Sequence, residues 1–235
     1  MFKFQQFTVI QENAAMKVGT DGVLLGAWTP VDLQPAKILD AGTGTGLVAL
    51  MLAQRTRNAM IDAVEIDDAA CVDARINFEA SPWNDRLNLY HASLQDFAEN
   101  SASSYDLIVS NPPFFSGSMK NECSRKATAR HDVSLTAEDL LEGVNKLLSV
   151  DGVFSLILPV YDYESFRLKA ACSGMYEQKR LMVHPNPGKP AKRVLSVWTR
   201  KQVNLPIIES LDVEESRHKY TPGFKNIVSG FYLAF

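Results

Sequence analysis

The order of apolar and polar positions predicts strands and helices that alternate along most of the chain. Short apolar runs are typical of buried strands, and longer segments with an apolar residue every three or four positions are typical of amphipathic helices. Strands are predicted at residues 37–40, 60–66, 87–91, 105–110 and 153–158. Helices are predicted at residues 47–57, 67–78, 136–148 and 163–172. This alternation favours repeated βαβ units, and therefore a mostly parallel sheet with helices on both faces.

The C-terminal part of the chain departs from this alternation. Two apolar segments, residues 178–184 and 194–203, are separated only by the Pro- and Gly-containing loop 185–192. This arrangement predicts an antiparallel hairpin at one edge of the sheet. The predicted fold class is therefore α/β and Rossmann-like, with a mostly parallel seven-stranded sheet and a C-terminal antiparallel hairpin.

The segment before the first of these strands ends at two prolines, Pro30 and Pro35. We expect residues 1–35 to form an N-terminal extension and residues 36–235 to form the main domain. Open parallel sheets bind ligands beyond the carboxyl ends of their strands. We expect the extension to pack on that side, beside the cofactor and substrate.

The composition favours a cytoplasmic globular protein. Of the 235 residues, 46% are apolar, which is enough to bury a full core. We find no apolar run that could span a bilayer and no signal-peptide pattern at the N-terminus. The cysteines are odd in number and widely spaced, which argues against a disulfide framework or a cysteine zinc site. No two histidines have ligand spacing, so we expect no metal.

The charge is unevenly distributed. A net charge of −3 argues against a protein that coats nucleic acid non-specifically. Between Glu177 and Glu209, however, no acidic residue interrupts seven basic ones. These are Lys179, Arg180, Lys189, Lys192, Arg193, Arg200 and Lys201. The segment is either a phosphate-binding edge or an ordinary solvated face of the hairpin.

A glycine-rich turn, Asp-Ala-Gly-Thr-Gly-Thr-Gly at residues 40–46, follows a predicted strand and begins a predicted helix. Glycines let the backbone turn tightly and approach a ligand. Such a turn alone also fits a dinucleotide fold or a simple strand–helix connection. The Asp40 carboxylate would repel a pyrophosphate but favours a cationic ligand such as S-adenosylmethionine. We expect Asp40, Gly42 and Gly44 to bind this cofactor.

Two more residues follow neighbouring strands. Glu65 comes nineteen residues after Gly46, at the end of the second strand of the alternation. A carboxylate there can accept hydrogen bonds from both hydroxyls of a ribose, although a solvent-exposed strand-end glutamate fits the pattern too. Ser93 follows the third strand and is expected to contact the adenine of the cofactor. The alternative for Ser93 is a solvated loop serine.

The motif Asn-Pro-Pro-Phe at residues 111–114 follows the fourth strand of the alternation. Two prolines make the backbone stiff, and the carbonyl of Pro112 and the side-chain oxygen of Asn111 are two nearby acceptors. Together they can accept both hydrogens of an NH₂ group, whose lone pair is then aimed at a methyl donor. Phe114 offers a face on which a planar group can stack. A turn with a core phenylalanine is the structural alternative.

These motifs resemble those of class I amino-methyltransferases of the Asn/Asp-Pro-Pro-aromatic type. Further segments resemble the bacterial tRNA1(Val) (adenine-N6)-methyltransferases, and the resemblance covers nearly the whole chain. They are residues 7–11 (Phe-Thr-Val-Ile-Gln), 16–28 (Met-Lys-Val-Gly-Thr-Asp-Gly-Val-Leu-Leu-Gly-Ala-Trp), 220–222 and 231–233. The resemblance implies N6-methylation of the adenosine 3′ of the anticodon, at position 37.

The resemblance also implies roles for individual residues. Asn111, Pro112 and Phe114 would hold the target adenine, next to Pro113, and Glu65 would bind the cofactor with the glycine turn. Three residues of the N-terminal extension would lie beside the cofactor pocket. Thr20 and Asp21 would bind the cofactor, and Lys17 would bind the substrate. Many members of the family carry Asp at the position of Ser93.

A target adenine must leave its stack to enter such a pocket, which is cheap in an anticodon loop. We expect its phosphates to contact residues 116–131 and the predicted hairpin, although ordinary surface loops fit both segments. The expected contacts are Lys120, Arg125, Lys126, Arg130, Lys189, Lys192 and Arg193. We expect tRNA as the partner, with no membrane and no obligate protein partner.

Three other functions share parts of this pattern. A protein-glutamine N5-methyltransferase presents the same two hydrogens on an amide, but a separate recognition domain is expected of it. An rRNA or DNA amino-methyltransferase would share the core and usually carries larger recognition domains. A module that binds S-adenosylmethionine or RNA without turnover is the non-enzyme alternative.

Overall fold

Strands and helices alternate along most of the chain in the computed structural model, which describes residues 1–113, 115 and 135–233. In chain order the strands are β1 (Phe2–Lys3), β2 (Thr8–Val9), β3 (Lys37–Ala41), β4 (Met60–Glu65), β5 (Leu87–His91), β6 (Tyr105–Ser110), β7 (Leu148–Pro159), β8 (Tyr176–His184), β9 (Arg193–Thr199), β10 (Ile207–Asp212), β11 (Glu214–Ser216) and β12 (Lys219–Tyr220). The helices are α1 (Thr20–Trp28), α2 (Leu47–Arg55), α3 (Asp68–Glu79), α4 (Leu94–Asn100), α5 (Ala137–Leu147), α6 (Val160–Cys172) and α7 (Pro222–Val228).

The central sheet has the strand order β10-β8-β9-β7-β6-β3-β4-β5. Neighbouring strands are parallel except at β9, which runs antiparallel to both β7 and β8. Helices α1, α2, α3 and α7 pack on one face of the sheet, and α4, α5 and α6 pack on the other. The expected α/β class, with a mostly parallel sheet covered on both faces, is confirmed.

The predicted number of strands and the predicted edge are wrong. β10 adds an eighth strand, parallel to β8, so the β8–β9 hairpin lies inside the sheet rather than at its edge. β10 has no regular alternation of apolar and polar residues, and of its three apolar residues, Ile207, Ile208 and Leu211, only Leu211 is buried. Helices α1 and α4 were also not predicted, because α1 is short and contains two glycines and α4 has only seven residues.

Helix boundaries follow local capping chemistry. Thr136 accepts a hydrogen bond from the Asp139 N–H, and the Asp139 side chain accepts one from the Thr136 N–H, so a capping box begins α5. α6 begins three residues earlier than expected, directly after Pro159. Gly174 follows the last turn of this helix and has a φ of 77°, the left-handed conformation that commonly ends a helix.

The two ends of the chain meet on the face covered by α7. The Gln5 N–H donates to the Phe231 carbonyl at 2.8 Å, and the Gln5 side chain donates to the Ser229 and Tyr232 carbonyls at 2.8 and 2.6 Å. The rings of Phe4 and Tyr232 stack with centroids 6.0 Å apart. Residues near both termini are therefore part of one packed layer.

Helix α1 lies unusually close to α2. A Cβ atom placed on Gly26 would lie 2.7 Å from Met51 Sδ and 2.9 Å from Met51 Cβ. A Cβ atom on Gly22 would lie 3.0 Å from Leu47 Cδ2 and 3.9 Å from Asn111 Nδ2. These two glycines let the N-terminal segment approach the functional edge of the sheet. The division into residues 1–35 and 36–235 stays a prediction.

The helices in the described part of the chain include none that is both long and apolar enough to cross a membrane.

Replacing Gly26 with Ala should destabilise the protein. The new methyl group would lie too close to the buried Met51 side chain, and such overpacking costs about 1–3 kcal/mol. The better helix propensity of alanine recovers only about 1 kcal/mol. Urea unfolding should show a lower midpoint, and Gly230→Ala, whose Cβ would meet only Gln54 Nε2 at 4.0 Å, is the matched control. An unchanged midpoint for Gly26→Ala would show that the α1–α2 contact can relax.

Candidate active site

A cleft of about 380 Å³ lies at the carboxyl ends of β3, β4, β5 and β6. Several residues predicted from the sequence line this cleft together, and so do others that were not predicted. The predicted ones are Gly42, Gly44, Glu65, Ser93, Asn111 and Pro113. The others include Ala14, Ala15, Met16, Val64, Ile66, Asp67, Ala70, Leu94, Gln95 and Leu135. Residues that follow four different strands therefore meet at one edge, as the topology requires.

The glycine turn has the backbone conformation that requires glycine. Gly42 and Gly44 have φ values of 74° and 58°, in the left-handed region. The N–H groups of Gly42 and Thr43 both donate to the Val64 carbonyl, at 2.9 and 3.0 Å. The turn is thereby held against the end of β4 and presents its backbone to the cleft.

Asp40 lies beneath the turn, not at the surface of the cleft. Its side chain is only 1% exposed, and Oδ2 accepts hydrogen bonds from the Thr43 hydroxyl at 2.6 Å and the Ala49 N–H at 3.0 Å. Ala49 lies in the first turn of α2, whose N-cap residue, Gly46, has no side chain to supply an acceptor. Asp40 therefore supports the glycine turn and does not make the expected direct contact with a cofactor.

Burial raises the pKa of Asp40 to about 7. The hydrogen bonds from Thr43 and Ala49 lower the pKa but do not offset the loss of solvation, and the nearby charge of Glu65 raises it further. The carboxyl group under the glycine turn therefore changes charge near neutral pH.

Glu65 faces the cleft and organises the backbone around it. Its Oε2 accepts the Gly44 N–H at 2.7 Å, and its Oε1 accepts the N–H groups of Ile66 and Asp67, both at 2.9 Å. A carboxylate offers about four acceptor positions. These three bonds leave about one position, on Oε2, for a ligand hydroxyl. A second ribose hydroxyl would have to displace one of the backbone donors.

Ser93 lines the cleft, but its hydroxyl is committed to α4. It accepts the Asp96 N–H at 3.0 Å and donates to the Asp96 carboxylate at 2.6 Å, as the N-cap residue of that helix. The expected contact with an adenine edge is thus not supported by this geometry. The sequence signal for a helix start, Ser followed three residues later by an acid, explains the residue better.

Asn111 lines the cleft directly after β6, and the buried Pro112 follows it. Asn111 is half-buried and its side chain borders both the cleft and Gly22 of α1. Within the described ranges, no protein group donates a hydrogen bond to the Asn111 side chain or to the Pro112 carbonyl. Both acceptors that the sequence predicts therefore remain available to a ligand as far as the described residues show.

The segment that contains these acceptors is fixed at both ends. Before it, the buried Ser110 hydroxyl donates to the Ala41 carbonyl at 2.8 Å. After it, the Phe115 N–H donates to the buried Asp162 carboxylate at 3.1 Å. The proline pair adds its own stiffness between these two points. Asp162 was not predicted from the sequence, because it lies 47 residues away along the chain.

Several predicted residues lie outside the described residues. They are Phe114, Lys120, Arg125, Lys126 and Arg130, and their proposed roles stay predictions.

The N-terminal residues that were predicted to bind ligands make protein contacts instead. Asp21 forms an ion pair with Arg193, with Nε and Oδ2 2.7 Å apart, and neither residue lines the cleft. The Lys17 ammonium donates to the Gln11 and Ala14 carbonyls at 2.5 and 2.8 Å. Thr20 is exposed at the start of α1 and does not line the cleft. The contacts made by Asp21, Arg193 and Lys17 brace the N-terminal segment, so direct ligand contacts of these groups are not supported.

The lining of the cleft combines apolar surface with carboxylates. Val64, Ile66, Ala70 and Leu94 supply apolar surface, and Glu65 and Asp67 supply negative charge. This chemistry fits a nucleoside with a cationic group and opposes a nucleotide, since carboxylates repel phosphates. No cluster of three His, Cys, Asp or Glu side chains suited to a metal occurs among the described residues.

Comparisons with known proteins show the family of the chain. The family described as "Methyltransferase small domain" matches residues 21–155. A tRNA1(Val) (adenine(37)-N6)-methyltransferase from Flavobacterium psychrophilum is 46% identical over 233 residues, which cover 99% of each chain. One of the same description from Bacteroides fragilis is 46% identical over 236 residues, covering 99% of this chain and 97% of the relative.

Solved structures share the fold at lower sequence identity. A predicted O-methyltransferase from Agrobacterium tumefaciens superposes with a TM-score of 0.68 at 21% identity, covering 90% of this chain and 96% of that one. A ribosomal protein L11 methylase from Lactobacillus delbrueckii superposes with a TM-score of 0.59 at 16% identity, covering 82% and 84%.

The buried Asp40 should make stability depend on pH between about 4 and 7. In this window the folded protein keeps the Asp40 proton and the unfolded chain has lost it, because the folded pKa is raised from 3.8 to about 7. The free energy of unfolding should therefore fall as pH rises through the window, and Asp40→Asn should lack this component. Urea unfolding of both proteins at pH 5, 6, 7 and 8 measures the difference. Parallel pH profiles would show that Asp40 does not titrate there.

Proposed function

The chain belongs to the Methyltransferase small domain family and to the tRNA1(Val) (adenine(37)-N6)-methyltransferases within it, and on this premise we propose that it methylates N6 of adenine 37 in tRNA1(Val). The methyl donor is S-adenosylmethionine, bound in the cleft at the carboxyl ends of β3 and β4. The observation that carries the proposal is Asn111, which lines that cleft and is followed directly by Pro112. Neither the Asn111 side chain nor the Pro112 carbonyl accepts a hydrogen bond from another described residue.

The cofactor fits the chemistry of the cleft and supplies an electrophilic methyl group on a sulfonium cation. Glu65 would accept a ribose hydroxyl at its remaining Oε2 position, and Gly42 and Gly44 would allow the backbone to approach the ligand. Val64, Ile66 and Leu94, which line the cleft, would cover the apolar faces of the adenosine. The negative charge of Glu65 and Asp67 attracts the cationic cofactor.

Asn111 and Pro112 orient the amino group of the target. The lone pair of an exocyclic amine is delocalised into the ring, so the amine is a weak nucleophile. When Asn111 Oδ1 and the Pro112 carbonyl accept its two hydrogens, the nitrogen is held in place and its lone pair turns toward the methyl donor. The transfer would form the N–C bond as the S–CH₃ bond breaks, and the nitrogen would then release one proton to water, so no strong general base is required. Rate enhancement comes from orientation and from electrostatic stabilisation of the charge that develops on nitrogen.

The same two acceptors would also hold the amide of a glutamine side chain, so geometry alone does not choose the target. The choice of tRNA rests on the relatives, which are described as tRNA1(Val) (adenine(37)-N6)-methyltransferases and match this chain over nearly its full length.

Replacing Asn111 with Ala should reduce turnover about 100-fold or more and leave the affinity for S-adenosylmethionine within about twofold. The reason is that Asn111 would hold the target amine, whereas Glu65 and the glycine turn would hold the cofactor. The measurement is methyl transfer from labelled S-adenosylmethionine to unmodified tRNA1(Val), with nucleoside mass analysis for N6-methyladenosine. Asn88→Ala is the matched control, since Asn88 bonds Asp62 on β4 and does not line the cleft. Equal loss of cofactor binding in Asn111→Ala would indicate a structural role instead.

The loop between β8 and β9, residues 185–192, is the part of the protein that we propose to contact tRNA phosphates. Ser110 pairs with Leu156 of β7, and Pro159, three residues further along β7, pairs with Arg193. With strands about 4.8 Å apart and about 3.3 Å per residue, Lys192 lies roughly 15 Å from Asn111. Lys189 and Lys192 are both exposed at this edge. Phosphates next to a base in the cleft are then within reach of the loop.

Arg193 has a different role from the one that its charge suggests. Its guanidinium connects β9 to Asp21 of α1 and also donates to the Lys192 carbonyl. It therefore supports the loop rather than extending into solvent beside the two lysines.

Replacing Lys189 and Lys192 with Glu should weaken tRNA binding and reduce the slope of log Kd against log salt by about one to two. Arg193 is kept, because its loss would disturb α1. The double variant Lys37→Glu/Arg57→Glu is the matched control, since Lys37 and Arg57 are exposed at the amino edge of the sheet and the change in net charge is the same. Filter binding at several salt concentrations measures both. An equal effect of the two variants would mean that the loop makes no particular contact.

A further inference from the structure

A buried carboxylate on α3 holds the N-terminal segment of the chain. Asp73 has no exposed surface, and it accepts hydrogen bonds from the Asn13 N–H at 3.0 Å, the Ala14 N–H at 2.8 Å and the Asn13 side chain at 2.8 Å. A buried charge is costly unless it is hydrogen-bonded in this way. These bonds outweigh the effect of burial and hold the pKa of Asp73 below its usual value.

One helical turn later, Asn77 joins the same segment to the glycine turn. Its Oδ1 accepts the Ile10 N–H at 2.7 Å, and its Nδ2 donates to the Ile10 carbonyl at 2.8 Å and to the Thr45 carbonyl at 2.9 Å. Asp73 and Asn77 are four positions apart and therefore lie on one face of α3. This face of α3 therefore bonds both the N-terminal segment and the glycine turn at residues 40–46.

The segment is also braced from within. We define the N-terminal wall as residues 10–18. The Gln11 side chain accepts the Val18 N–H at 2.6 Å, and Lys17 donates to the Gln11 and Ala14 carbonyls. The wall is therefore a closed turn that α3 holds as a unit.

Three consecutive residues of the wall line the cleft. Ala14, Ala15 and Met16 face it together with Ala70, which also belongs to α3. Ala14 is 2% exposed, and its N–H is one of the groups that Asp73 holds. The position of this apolar side of the cleft thus depends directly on Asp73.

We propose that Asp73 and Asn77 are positioning residues, which hold the N-terminal wall against the cleft and thereby set the affinity for S-adenosylmethionine. The inference rests on the proposed function, because it names that cofactor. If bound cofactor contacts the wall, binding must also stabilise the wall, since coupling between two sites is reciprocal.

The test replaces Asp73 with Asn, which has nearly the same shape but no charge and turns an NH₂ group toward the backbone donors. The loss of a charge-assisted hydrogen bond should raise the Kd for S-adenosylmethionine about tenfold. At saturating cofactor, kcat should stay within about twofold of the wild-type value, because Asp73 does not contact the target. Isothermal titration gives the Kd, and initial rates at several cofactor concentrations separate KM from kcat.

Hydrogen exchange supplies a second readout, which a loss of overall stability would not imitate. In the wild type, S-adenosylmethionine should slow exchange of the Asn13 and Ala14 amides. In Asp73→Asn these amides should exchange faster than in the wild type, while amides in the middle of β3 should not change.

Asp106→Asn is the matched control. Asp106 also accepts two backbone N–H groups, from Ala36 at 2.9 Å and Lys37 at 3.0 Å, but at the amino edge of the sheet, away from the cleft. We expect it to lower stability without changing the Kd for the cofactor. Lys17→Met, an exposed change that removes the inner brace of the wall, should raise the Kd about threefold and provides a variant that should fold if Asp73→Asn does not.

The results distinguish the inference from the proposed function. If the wild type binds no S-adenosylmethionine, the proposed function is wrong. If the wild type binds it and the Kd is unchanged in Asp73→Asn and Lys17→Met, only the inference is wrong. Equal increases of Kd in Asp73→Asn and Asp106→Asn would also overturn the inference, because the effect would then follow general stability.

Discussion

The left-handed turn between β3 and α2 is the constraint on which the rest of the site depends. Only glycine tolerates such φ values readily, and the resulting backbone leaves N–H and carbonyl groups that need partners. The Asp40 carboxylate accepts a hydrogen bond from the Thr43 hydroxyl, and the Glu65 carboxylate accepts one from the Gly44 N–H. The Asn77 side-chain amide donates one to the Thr45 carbonyl. These three side chains come from two strands and a helix. The turn therefore keeps its shape only when the surrounding sheet and helix are in place.

This constraint explains which parts of the molecule could be predicted from the sequence. Strongly periodic elements such as β3 and β6 were predicted because their apolar runs report burial directly. The turn at 40–46 and the motif at 111–114 were predicted because glycine and proline restrict the backbone locally. β10 was missed because it is an edge strand with one buried residue, so its formation depends on pairing with β8 rather than on its own pattern.

Side-chain direction was harder to predict than position. Asp40 and Ser93 are both at the expected places along the chain, but one carboxylate turns inward to a helix start and one hydroxyl caps the next helix. In each case a backbone N–H group and the ligand could both donate to the same side-chain oxygen. The sequence alone does not indicate which of these two donors is closer in the fold. Asp73 and Asp162 were not identified because their partners are 59 and 47 residues away. Only the fold brings such pairs together.

The contact between Gln5 and residues 229–232 has a consequence for how the protein is made. A ribosome adds residues in order, so Gln5 is synthesised long before Ser229, Phe231 and Tyr232, to whose carbonyls it donates. Residues near Gln5 thus leave the exit tunnel long before the residues that complete their hydrogen bonds. Gln5 and the neighbouring phenylalanines, Phe2, Phe4 and Phe7, therefore lack these partners until residues 229–232 have been translated.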